Sequence, residues 1–106
     1  MGKGYTEYFI QLIDAVTKKS VDDSTGTYNV FEAPSTTNSL TIYANDNGVS
    51  ASNPGTMKNG KMSFYTTSDK TSVNILIITS SGYTKLVNGI TPSIHSIEMY
   101  LSPWNE

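Results

Sequence analysis

The chain of 106 residues contains no cysteine, and all seven of its basic residues are lysine, so arginine is absent as well. Without cysteine there are no disulfides, no thiolate zinc sites and no cysteine nucleophile, and the core must hold by packing alone. That composition fits synthesis in a reducing cytosol. Nucleic-acid and phosphate sites lean on arginine's planar paired donors and on an excess of basic charge. A net charge of -2 and a sequence pI near 5.2 therefore argue against a nucleic-acid partner. No stretch approaches the ~20 apolar residues of a membrane helix. Nor does the start carry the basic, apolar, then small-residue order of a signal peptide, so no membrane partner is expected. Met1-Gly2-Lys3-Gly4-Tyr5-Thr6 fits the short pattern for N-terminal myristoylation, a motif of low specificity. It is read as a flexible leader, residues 1–4.

Helical periodicity is nearly absent too, and strand and turn alternate along the whole chain. In Tyr5 to Ile13, Tyr8, Ile10 and Leu12 share one face and Phe9, Gln11 and Ile13 the other. A polar turn region runs from Asp14 to Thr27. Tyr28 to Glu32 reads as a strand stopped by Pro34. Ser39 to Asn45 alternates, with Leu40, Ile42 and Ala44 on one side. Asp46 to Asn59 reads as one long loop holding Asn47-Gly48, Asn53-Pro54-Gly55 and the start of Asn59-Gly60. Asn-Gly favours the positive backbone angles of tight hairpin turns. Lys61 to Thr66 is a strand with Met62 and Phe64 inward. Val73 to Thr79 is the most apolar run and is expected to be central and covered on both faces. Tyr83 to Val87 follows, then a tight turn at Asn88-Gly89, and a last strand from Ile94 to Leu101.

Seven or eight short strands at this spacing predict one all-β domain over residues 1–106, with 102–106 as a C-terminal tail. The expected architecture is a small antiparallel β-sandwich, Ig-like or jelly-roll-like, with a β-barrel as the alternative.

No residue pattern calls for catalysis. His95 is the lone histidine, placed inside the last strand, and no Gly-x-Ser-x-Gly elbow accompanies it. The carboxylates fall mostly in turns, while Glu7, Glu32 and Glu98 sit in strands and are expected to face solvent. Asp22-Asp23 and Asp46-Asn47 could offer oxygen ligands to calcium, but the spacing of a calcium loop is missing and turn formation explains them. No phosphate loop occurs. Hence no catalytic residue, cofactor or metal is expected. The tyrosines are spread over almost every strand, and each offers an apolar face with a polar tip suited to interfaces or sugar platforms.

From Asn53 the chain reads Asn-Pro-Gly-Thr-Met-Lys-Asn-Gly-Lys-Met-Ser-Phe-Tyr, then Ser-Val-Asn-Ile-Leu-Ile, then Ser-Gly-Tyr. This pattern, with Asn88-Gly89-Ile90-Thr91-Pro92-Ser93-Ile94-His95, resembles tailed-phage virion proteins, both head decoration (cement) proteins and the adaptor modules of tail fibres and baseplates. The resemblance covers about Tyr43 to Tyr100. It implies a structural, non-enzymatic protein, made in the host cytoplasm and carried on the capsid surface, with the major capsid protein as partner. A homo-oligomer is implied as well, with a trimer favoured. A tail-fibre or baseplate adaptor and a carbohydrate-binding module are the alternatives.

Because Tyr5 to Ile13 is apolar on both faces, one side needs a cover that a lone sandwich does not supply. The expected interface is therefore Tyr5, Phe9 and Ile13, joined by Tyr100 and Trp104 near the C-terminus.

Overall fold

The alternation at the start of the chain becomes one long strand. In the computed structural model, which describes residues 4–35 and 37–100, β1 spans Tyr5–Asp14 and buries Tyr8, Ile10 and Leu12 completely. Eight strands follow among the described residues: β2 Thr27–Glu32, β3 Ile42–Tyr43, β4 Ser50–Ala51, β5 Gly55–Thr56, β6 Lys61–Thr67, β7 Val73–Ile78, β8 Thr84–Ile90 and β9 Ser96–Met99. They form two sheets, ordered β4-β3-β6-β1-β9 and β5-β2-β7-β8. The sheets pack face to face without closing into a barrel, giving a small all-β sandwich. One pairing departs from the expected antiparallel pattern. β9 runs parallel to β1, from Gln11 opposite Ser96 to Asp14 opposite Met99.

The inner faces interlock through aromatic rings. Tyr8 and Phe64 are direct neighbours across β1 and β6, and their rings stack at 5.0 Å. Tyr28 meets Phe64 from the opposite sheet at 5.9 Å. Ile10, Leu12, Met62, Val30, Ile75 and Ile77 fill the surrounding space, all essentially inaccessible. Burying such side chains contributes about 1.5–3 kcal/mol each, which a chain without disulfides requires.

Several boundaries differ from expectation. Ser39 to Asn45 contracts to β3, with Leu40 and Ile42 inward as expected but Ala44 exposed. The loop from Asp46 to Asn59 contains β4 and β5, each two residues long; β4 pairs with the preceding strand β3, and β5 with β2, distant in sequence. Asn88-Gly89 does not turn the chain. It lies inside β8, where two residues oppose Asn74 alone between the pairs Val73–Ile90 and Ile75–Val87. Gly89, at φ 71°, supplies the positive backbone angle of this bulge. The last strand shortens to β9, so Ile94 and His95 precede it, and Leu101 lies outside the described residues.

β7 is central in its sheet, as expected, and is covered fully on one face and only in part on the other. Val73, Ile75 and Ile77 are buried, whereas Ile78 is 38% exposed beside Leu86 of β8, 43% exposed. The segment after β2 folds back over part of the outer side, where Phe31 is buried and Asn74 Nδ2 donates to the Ser35 carbonyl at 2.8 Å. Asn74 Oδ1 accepts from the Gly89 amide at 2.9 Å, so this buried side chain is satisfied at both ends.

Candidate functional site

The site borders the outer face of the five-stranded sheet, drawing Phe9, Lys61 and Ser63 from it and Tyr28 and Thr56 from the four-stranded sheet, and a tight turn builds one wall of it. Lys58 and Lys61 exchange two backbone hydrogen bonds of 3.1 and 3.0 Å. Between them Asn59 and Gly60 both take positive φ, 53° and 73°, the signature of a type I′ hairpin turn. Leu12 N donates to the Gly60 carbonyl at 2.8 Å, and Gly60 N donates to the Asp23 carbonyl at 2.7 Å. Gln11 Nε2 donates to Asn59 O, while Asn59 exchanges hydrogen bonds with Ser24 through its backbone N–H and its Oδ1. The turn is thereby clamped to β1 and to the β1–β2 connection.

Asp23 is the centre of that clamp. Its Oδ1 accepts from Thr25 N at 3.0 Å and Gly26 N at 2.8 Å, and its Oδ2 from Ser80 N at 2.9 Å. Burial alone would raise its pKa, but these donors outweigh burial and hold the carboxyl below its ordinary value. Asp23 is thus a turn anchor, and Asp22 beside it is exposed. Among the described residues no three His, Cys, Asp or Glu side chains gather as a metal site.

Beside the turn lies a surface pocket of about 400 Å³. Phe9, Tyr28, Thr56, Lys58, Asn59, Lys61 and Ser63 line it. Phe9 sits opposite Ser63 in the β1–β6 register. The Tyr28 hydroxyl donates to the Ser63 carbonyl at 3.3 Å, and burial pushes its phenol pKa up. Among the described residues no carboxylate lines the pocket. The ion pairs among the described residues are Lys18–Glu98 at 3.0 Å, Lys70–Glu32 at 2.8 Å and Lys70–Asp69 at 3.7 Å, and neither pocket lysine takes part. Tyr65, on the same face, has its phenol pKa raised by burial first and then by the Glu7 and Asp46 carboxylates.

The candidate interface residues fall on or near this face. Phe9 is 43% exposed on it, and Ile13 is half-buried. Tyr5 is half-buried, its ring edge-on to Tyr43 at 4.9 Å. Tyr100 is 59% exposed just after β9, and Trp104 lies outside the described residues. His95 is exposed, with Nδ1 3.4 Å from the Phe9 carbonyl and its own carbonyl accepting from Gln11 N at 2.9 Å. Glu7, Glu32 and Glu98 face solvent, as expected.

Lys58 and Lys61 were not among the residues expected to matter, although Lys-Asn-Gly-Lys carries the signal. A two-residue turn at Asn-Gly puts the flanking residues directly opposite each other. Compared with family models, with curated proteins and with solved structures, the chain matches none.

Proposed function

We propose that this protein is a structural component of a tailed-phage virion, a decoration protein that docks on the outer surface of the head and stabilises it without catalysing a reaction. The observation that carries the proposal is the apolar exposure on both outer faces of the sandwich. Phe9 stands out on one face, and Ile78 with Leu86 on the other. A domain with two such faces suits a member of an assembly, one face meeting the major capsid protein and the other a neighbouring copy. The resemblance between Tyr43 and Tyr100 supports the same role, with a homotrimer as the favoured oligomer.

Each exposed apolar side chain contributes about 1.5–3 kcal/mol when covered, before the losses of association are subtracted. A few such contacts bind weakly alone and become effective when repeated over a shell. Quantifying the chain against the major capsid protein in purified particles tests the proposal. Hundreds of copies on heads support it. A few copies confined to tails point to a fibre or baseplate adaptor, and absence from both overturns the virion role.

A further inference from the structure

We propose that the pocket between Lys58, Lys61 and Phe9 is a carboxylate site that takes an Asp or Glu side chain of a partner polypeptide, with an apolar neighbour of that residue lying on the Phe9 ring. The first ground is electrostatic. Lys58 and Lys61 are direct partners across the turn, so their side chains leave the same face of the hairpin, and like charges so placed are destabilising. Neither finds an ion-pair partner among the described residues. The turn is clamped by Leu12, Asp23, Gln11 and Ser24, so the backbone cannot relax to separate them. In a chain of net charge -2, two adjacent exposed cations that have neither an ion-pair partner nor a pocket carboxylate among the described residues form a site complementary to an anion.

The remaining lining sets the class of anion. Asn59 Oδ1 is engaged by Ser24 Oγ at 3.2 Å, which leaves its amide nitrogen to donate. Thr56 and Ser63 add hydroxyls able to donate, so with the two ammonium groups the lining can serve a group that only accepts. Two ammonium groups serve as point charges and do not require the fork geometry of arginine. Phe9, half out of the sheet beside them, offers an apolar surface for the residue next to the acid. A neutral sugar would leave both cations unmatched. The polypeptide as source rests on the assembly role proposed above, whereas the carboxylate chemistry rests on the pocket itself.

The test uses the full chain, labelled with nitrogen-15, at low ionic strength where charge pairs are least screened. It is titrated with the blocked peptide acetyl-Leu-Glu-Leu-amide, with its Gln counterpart, and with glucuronic acid. Saturable shifts of the Phe9, Asn59, Gly60 and Lys61 amides with the Glu peptide, lost with the Gln peptide, are expected. The double variant Lys58→Gln, Lys61→Gln should bind about tenfold more weakly or worse, while melting at the same or a higher temperature because the repulsion is gone. Equal responses to the Glu and Gln peptides, no saturable shift, or a less stable double variant would each overturn the proposal. A response to glucuronic acid alone would move the pocket to acidic glycans and overturn it too. On particles, a double variant that attaches to heads as the parent does removes the pocket from assembly and leaves the decoration role standing. A parent chain missing from heads removes that role, and the peptide titration still decides the pocket.

Discussion

The side chain of Asn53 lies against the backbone of Val30 as a neighbouring strand would. Its Oδ1 accepts from Val30 N at 2.9 Å, and its Nδ2 donates to Val30 O at 2.8 Å and to Leu40 O at 2.6 Å. One amide thus completes the edge of β2 where no strand reaches and ties the β3 side of the sandwich to it.

Replacing Asn53 with Ala takes this partner from Val30 N and Leu40 O, while Val30 O keeps the Leu40 N–H at 2.9 Å. The expected loss is about 2–3 kcal/mol, each unsatisfied buried group costing about 1–3 kcal/mol and solvent recovering part of it. Chemical denaturation should show a lower midpoint with an unchanged slope.

Asp23 predicts acid sensitivity. Its folded carboxyl is held below the unfolded value of about 3.9, so its contribution is complete above that pH and disappears as the pH falls through the lower folded value. The melting temperature should fall below about pH 4. Asp23→Asn keeps the shape but turns an N–H toward Ser80 N or, if flipped, toward Thr25 N and Gly26 N. It should lower stability at pH 7 by about 1.5–3 kcal/mol and flatten the acid profile.

Tyr28 predicts the opposite edge of the pH range. Burial raises its phenol, as it does that of Tyr8. A raised acid of this kind stabilises the fold fully below its unfolded pKa, about 10, and loses that contribution as the pH climbs through the folded value. The fold should weaken above about pH 10. Tyr28→Phe should make that alkaline fall shallower at a loss of about 1 kcal/mol, from the hydrogen bond to Ser63.

Phe9 and its neighbour Ile10 separate surface from core within one strand. Phe9→Ser should change stability by no more than about 0.5–1 kcal/mol and weaken attachment to heads. Ile10→Ala, at a fully buried position, should cost about 2–5 kcal/mol. If the Phe9 variant attaches normally, its face is not the docking face.

The two-residue period made β1 and β6 legible in the sequence, because each buries alternate residues along its length. Asn59-Gly60 was legible for the same kind of local reason. Asn88-Gly89 was not, although the dipeptide is identical. Both settings need a positive φ at glycine, and only the partner strand, continuing from Val73 to Ile75 opposite, makes the second one a bulge. β4 and β5 are too short to show any period; β4 exists through its pairing with β3 and β5 through its long-range pairing with β2. That the outer side of β7 is covered only in part is not legible, because an apolar run does not state how many layers cover it. In the candidate site, Phe9 followed from the alternation, while the lysine pair waited on the register that sets Lys58 opposite Lys61.

The parallel pairing of β9 with β1 also settles how the domain carries load. Tyr5 opens β1 at one pole, and Met99 closes β9 beside Asp14 at the other, roughly 30 Å away at the rise of a strand. Tension applied at Tyr5 and Met99 slides the two strands past each other, so their hydrogen bonds are strained together and cannot be opened one at a time. The domain is therefore built as a tie between its poles, and single-molecule stretching between those points should meet its first resistance in the β1–β9 ladder.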